Sequence, residues 1–184
     1  MIILGITGTI GAGKDVVSRY LKETYGFVMF RMGDLARDIA RKRDVEATRK
    51  NLQDIYAEYR KKYGKTCFID LMVEKIKQSG EERIIIDGVR GEWDVEVPKK
   101  VFGKQFSLIL VDAKPEVRFS RLKKRRRPGF PKTLEEFSQH EAREQHIFGI
   151  DKTFARADFT LNNTTTLLEL YHKVDALMHS FGVK

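Results

Sequence analysis

The segment Gly8-Thr9-Ile10-Gly11-Ala12-Gly13-Lys14-Asp15 constrains this chain more than any other, because of what stands on either side of it. Ile2 to Thr7 before it is a short apolar run suited to a buried strand. After it, Val16, Val17, Tyr20 and Leu21 recur on one helical face between Asp15 and Thr24, and Gly26 closes the pattern. A G-x-x-x-x-G-K segment held between strand and helix turns consecutive backbone N–H groups, here from Ile10 to Asp15, toward one point at a helix N-terminus, where the helix dipole also favours negative charge. The expected ligand is the polyphosphate of ATP, cradled by Gly8, Thr9, Ile10, Gly11, Ala12, Gly13, Lys14 and Asp15, with the Lys14 ammonium reaching the β- and γ-phosphates. Asp15 departs from the usual Ser or Thr, whose hydroxyl meets Mg²⁺. A carboxylate there is a candidate metal ligand, directly or through water, and is also an ordinary acidic residue for a helix start.

The rest of the chain alternates strand and helix patterns without a repeat or linker. Phe27 to Met32, Arg83 to Asp87, Phe106 to Asp112 and a weaker Phe159 to Leu161 read as further strands, two of them continuous apolar runs ending in Asp, as in parallel strands covered on both faces. Five strands separated by helices predict a doubly covered parallel α/β sheet of the P-loop NTPase class, with ligands at the carboxyl ends of the strands. At 184 residues one domain is expected, since a chain of that size buries roughly 70% of its unfolded surface. Within it, residues 34–79 are too long for one crossover helix and read as a helical insertion. The terminal helix places Leu167, Leu170, Tyr171, Val174, Leu177, Met178 and Phe181 on one apolar stripe.

The net charge of +9 is concentrated. Residues 118–127 carry seven bases and no acid, and setting those aside leaves +2 on the other 174 residues. That suits a small polyanion as readily as a nucleic-acid backbone. The segment holds Phe119 as its one aromatic residue, which argues against a stacking platform for nucleic acid. No apolar run approaches the roughly 20 residues of a membrane span, so a cytoplasmic location without a membrane partner is expected. The single Cys67 reads as a packing residue, and four scattered histidines do not compose a metal site.

Four further segments resemble nucleoside monophosphate kinases. Gly33-Asp34-Leu35-Ala36-Arg37 resembles the G-D-x-x-R of adenylate kinases, whose Arg holds the acceptor phosphate. Asp87-Gly88-Val89-Arg90 resembles their D-G-F-P-R, one residue shorter. Arg121 to Arg125 resembles the R-x-x-x-R that opens the lid, and Ala157-Asp158 to Asn163 resembles the A-D-x-x-x-x-N of dephospho-coenzyme A kinases near the adenine site. The M-G-D, I-D-G-x-R and P-K-T-x-E-E-F phrases are similar to those of an archaeal adenylate kinase-related, dephospho-coenzyme A kinase-like family. The resemblance implies Asp34, Arg37 and Arg90 at the acceptor, Asn162 near the nucleotide and Asp87 beside Asp15 at the metal. It also implies residues 34–79 as the acceptor-binding insertion and 121–145 as a basic lid carrying Arg121, Arg125 and Arg143.

Loose phosphoryl-transfer transition states call for converging cations, and Arg121 and Arg125 at i, i+4 share a helical face. Pro128, Gly129 and Pro131 interrupt that helix, and Thr133 to Glu136 reads as a capping box opening the next. The expected activity is ATP- and Mg²⁺-dependent phosphoryl transfer to a nucleoside or deoxynucleoside monophosphate. The alternatives are a dephospho-coenzyme A kinase, against which Met32 stands where the first Asp of D-x-D-x-x-A-R belongs, or a nucleic-acid-associated NTPase or nucleotide-binding module.

Overall fold

The computed structural model describes residues 1–125, 131 and 133–183, with the side chains of all of these except 49, 50, 125, 140, 143, 144 and 147. Five strands, β1 (Ile2–Thr7), β2 (Val28–Arg31), β3 (Arg83–Asp87), β4 (Phe106–Asp112) and β5 (Phe159–Asn162), form one sheet in the order β2-β3-β1-β4-β5. Every pairing is parallel. The helices are α1 (Lys14–Tyr25), α2 (Met32–Lys42), α3 (Arg49–Tyr63), α4 (Cys67–Ser79), α5 (Trp93–Phe102), α6 (Pro115–Arg125), α7 (Leu134–Phe148), α8 (Ile150–Phe154) and α9 (Leu167–Ser180). The chain adopts the expected α/β P-loop kinase fold.

Alternation along the strands splits the core in two. Ile3, Ile84, Ile86 and Leu108 pack toward α2, α4 and α5, whereas Leu4, Ile6, Ile85, Ile109 and Val111 pack toward α1 and α9. Because both faces are covered, the inner strands β1, β3 and β4 read as largely apolar runs. β1 is central, with Ile3 opposite both Ile84 and Phe106, so the loop it feeds emerges between the ends of β3 and β4.

Several boundaries differ from the sequence pattern. Phe27 packs into the core at 1% exposure instead of pairing, and Met32 opens α2 directly after Arg31, leaving a four-residue β2. Three helices, α2 to α4, occupy residues 32–79. Leu167 is 53% exposed although it falls on the α9 stripe, because the helix begins there and only from Leu170 onward does it lie on the sheet. Cys67 is buried in the α4 core and burial pushes its thiol up, as befits a packing residue. Among the described residues no helix is long and apolar enough to cross a membrane.

Candidate functional site

The loop after β1 owes its shape to close backbone approaches. Gly8 sits at φ +147°, where a Cβ would lie 2.1 Å from the Val111 carbonyl oxygen of β4. Gly13 sits at φ +101°, where a Cβ would lie 2.3 Å from Asn163 Nδ2. That amide donates to the Ala12 carbonyl at 2.8 Å, so Asn163, 2% exposed, braces the loop from just beyond β5. On its other side Asn163 Oδ1 accepts from Arg121 Nη2 at 3.3 Å, which joins α6 to the same brace.

Lys14 Nζ donates to the carbonyls of Gly8 at 2.7 Å and Thr9 at 2.9 Å, keeping the ammonium over the loop. Thr9 Oγ1 is buried with no hydrogen-bond partner among the described residues. A buried hydroxyl in that state is costly unless a ligand supplies the partner. Thr9 lines a cavity of ≈290 Å³ whose far wall is Glu141, Gln145, Ile150, Asp151 and Phe154 of α7 and α8. An orphaned hydroxyl on this cavity, in a loop whose Lys14 ammonium stands beside it over the Gly8 and Thr9 carbonyls, fits a polyphosphate.

Asn162 is not the residue that meets the loop. It is exposed, and its Oδ1 accepts from the Thr164 N–H at 3.0 Å, closing a local Asx turn. Strand alternation gives the reason: Leu161 and Asn163 face inward at 5% and 2% exposure, so the residue between them faces out. The A-D-x-x-x-x-N spacing itself ends on Asn163, which was the available signal. Asp158 of that phrase is structural, accepting from the Leu108 N–H at 2.7 Å and pairing with Lys99 at 2.8 Å.

Asp15 lies exposed in the first turn of α1, and Asp87 ends β3 at 17% side-chain exposure. Burial pushes the Asp87 carboxyl up, the Asp15 charge adds to the push, and the charges of Lys14, Arg31 and Arg90 oppose it. Arg31 Nε stands 3.6 Å from Asp87 Oδ2. A half-buried carboxyl pushed up in part by a second carboxylate beside a phosphate cradle matches Mg²⁺, which takes one or two carboxylates and completes its shell with phosphate and water. Among the described residues no cluster of three or more His, Cys, Asp or Glu forms a self-sufficient metal cage.

On the acceptor side Arg37 Nη1 pairs with Asp34 Oδ1 at 2.7 Å, one turn apart on α2 and about half exposed. Asp34 lies in the first turn of α2, which follows directly on Arg31. Arg90 is exposed, with its guanidinium 5.2 Å over the Phe148 ring. The backbone around it is pinned three ways. Thr7 Oγ1 donates to the Val89 carbonyl at 2.8 Å, Thr153 Oγ1 donates to the Arg90 carbonyl at 2.9 Å, and Asp94 Oδ2 accepts from the N–H groups of Arg90 and Gly91 at 3.1 and 2.9 Å.

Asp94 is 7% exposed and burial, only partly offset by those two N–H groups, pushes its carboxyl up. The folded state therefore binds the Asp94 proton more tightly than the unfolded chain does, so this contribution to stability is present at acid pH and is lost as pH rises through the raised value. Asp94→Asn, whose Oδ1 still accepts both N–H groups, is expected to flatten the loss of stability between the ordinary carboxylate range and neutrality. Thermal melts of the two proteins across that range check it, and parallel curves would contradict it.

The basic segment divides into separate roles. Arg118 is 5% exposed: its Nε donates to the Ala113 carbonyl at 2.7 Å, its Nη1 to the Ile10 carbonyl at 3.3 Å, both Nη groups meet Glu141, and the guanidinium lies 5.1 Å over the Phe137 ring. It is a strut between the loop and α7 and not part of an open basic face. Arg121 is partly buried beside Asn163. The side chains of Arg125 and Arg143, with Pro128 and Gly129, lie outside the described residues. Thr133 caps α7 by accepting from the Glu136 N–H at 3.1 Å, as its sequence spacing predicts.

Residues 4–147 match the family model of the AAA domain. The whole chain is 35% identical to a UPF0200 protein of Methanothermobacter thermautotrophicus, with 93% of that protein covered. Its fold is similar to that of shikimate kinase from Bacteroides thetaiotaomicron (TM-score 0.62, 15% identity, 99% of each chain). It is similar also to a gluconokinase from Sinorhizobium meliloti (TM-score 0.59, 12% identity, 98% of this chain and 93% of that one). At such low identity this is a likeness of fold alone. With its family set by the relatives and its architecture by the sheet and loop, the chain belongs to the UPF0200 proteins, whose AAA domain here spans residues 4–147 in a P-loop kinase fold.

Proposed function

We propose that this chain is a kinase that moves the γ-phosphoryl group of ATP to a nucleoside or deoxynucleoside monophosphate. The observation that carries the reading is the buried, unpartnered Thr9 hydroxyl in a loop that also holds Lys14 and opens on the ≈290 Å³ cavity. Lys14 and the loop amides hold the β- and γ-phosphates. Asp15 and Asp87 are the residues to hold Mg²⁺, which when bound neutralises charge on the phosphoryl oxygens. Arg37 and Arg90 suit the acceptor phosphate because a guanidinium fork meets two phosphate oxygens at once. Arg121, Arg125 and Arg143 act from the α6–α7 lid, and Asn163 positions the loop.

A dephospho-coenzyme A kinase is the second reading, favoured by one observation. A phosphate acceptor needs no base, whereas a hydroxyl does, and Asp87, with its side chain 17% exposed at the end of β3, supplies a carboxylate for that proton. Burial of Arg118 removes a charge from the face a nucleic acid would need, which weakens the NTPase reading. ADP release measured across all ribo- and deoxynucleoside monophosphates, with dephospho-coenzyme A included, tests the proposal. No acceptor-dependent ADP from any of them would overturn it.

The metal role of Asp15 has its own outcome. Asp15→Asn should raise the Mg²⁺ concentration needed for half-maximal turnover several-fold, and Asp15→Ser should restore much of the activity by supplying a neutral hydroxyl ligand. Metal titration at saturating ATP separates this from a helix-start role, in which both variants keep the parent's Mg²⁺ dependence.

A further inference from the structure

A second cavity, of ≈170 Å³, lies on the far side of the loop that follows β3. Three cations, Arg60 of α3, Lys65 of the α3–α4 connection and Lys152 of α8, share its lining with the rings of Tyr56, Trp93 and Phe148. Helix α8 lines both cavities, with Ile150, Asp151 and Phe154 toward the phosphate loop and Lys152 toward this one. Arg90 connects them. Its charge acts on Asp87 at the phosphate-loop end, while its guanidinium covers Phe148 at this end.

The charge of the second cavity is unbalanced. Glu92 in its lining is taken by Arg156 at 2.7 Å, and Asp94 is buried with an oxygen accepting from two backbone N–H groups. None of the three lining cations has a carboxylate partner among the described residues. Instead Arg60 lies 5.6 Å over the Tyr56 ring and Lys65 lies 5.9 Å over the Trp93 ring. Three cations gathered around a concave, ring-lined space, offset there by the buried Asp94 carboxyl that Arg60 faces, suit an anion with a flat or apolar body.

Resting on the kinase reading of the phosphate loop, we propose that this cavity anchors a second anionic group of the acceptor, at the end remote from the transferring phosphoryl group. The acceptor is then a molecule with two anionic ends. Its reacting end lies at Arg90 and Asp87, and its far phosphate or carboxylate lies among Arg60, Lys65 and Lys152, with the connecting body against Trp93 and Tyr56. A plain monophosphate fills only the reacting end and leaves the three cations unmet.

Trp93 is the chain's single tryptophan, so intrinsic fluorescence reports this cavity directly. The wild-type protein is titrated, without ATP, with AMP and with adenosine 3′,5′-bisphosphate. The bisphosphate should bind about tenfold or more tightly than AMP, the size expected for an added charge-assisted contact. Lys152→Gln and Arg60→Gln should each shrink that ratio toward one, and Lys152, being exposed, is a substitution the fold tolerates. Equal affinities, no change in Trp93 emission with either compound, or a ratio that survives both substitutions would overturn the proposal. The kinase reading fails separately. Tight bisphosphate binding with no ADP formed from any acceptor would refute the kinase and keep the anion site, whereas phosphorylation of AMP with no preference for a second anionic group would keep the kinase and refute the site.

Discussion

Lys14→Ala is expected to lower the turnover of ATP by about 10²–10³-fold, the usual loss when one donor aimed at developing transition-state charge is removed. The fold should survive. The ammonium donates to the Gly8 and Thr9 carbonyls in part-buried surroundings, and such bonds are worth about 1.5 kcal/mol each in net stability, the lower end for a charged donor. The loop's shape has other supports: the Val111 backbone pressed on Gly8, and Asn163 bonded to Ala12. Steady-state ADP release together with a thermal melt makes the measurement. Turnover close to that of the parent would remove the core of the functional reading, and a collapsed melt would reassign Lys14 to structure. Lys14→Arg is the sharper control, because it retains the charge but replaces a compact ammonium with a planar fork that the loop carbonyls are not arranged to seat.

The sheet was legible in the sequence because burial on both faces writes long apolar runs, as in Ile84-Ile85-Ile86 and Leu108-Ile109-Leu110-Val111. The loop was legible for a different reason. Close approach of Val111 and Asn163 leaves room for glycine alone at Gly8 and Gly13, so the backbone geometry is imprinted on residue identity. Side-chain partnerships across the chain leave no such imprint. Arg118 lies in a run of seven bases, and its placement over Phe137 and against Glu141, 23 positions away, separates it from the exposed Lys123 and Lys124. The Asn162 and Asn163 pair shows the same limit at one-residue scale, since strand phase decides which asparagine faces the loop and a weak four-residue strand shows little phase. The setting of Trp93 is likewise unwritten, because nothing near it in sequence announces that α3, α8 and the β3–α5 loop line one cavity with its ring.

Glu141→Ala is expected to destabilise the fold by about 3 kcal/mol, the lower end of the range for breaking a buried ion pair, because Glu141 keeps 30% side-chain exposure while Arg118 keeps 6%. The asymmetry matters. Removing the carboxylate strands a guanidinium that cannot deprotonate, with only the Ala113 and Ile10 carbonyls left to solvate it. Removing the guanidinium strands a carboxylate that can turn toward water. Arg118→Met, which refills the space over Phe137 without charge, should therefore cost less than Glu141→Ala, on the order of 1–2 kcal/mol. The double variant should be more stable than the two single losses added together predict, with a coupling above about 1 kcal/mol. Urea unfolding of the four proteins gives that cycle, and a coupling within about 0.5 kcal/mol of zero would show that the pair acts independently. The same strut reaches the phosphate loop through the Ile10 carbonyl. Arg118→Met should accordingly weaken ATP binding even where the double variant recovers stability, because the charge balance at Glu141 is restored while the donor that holds Ile10 is not.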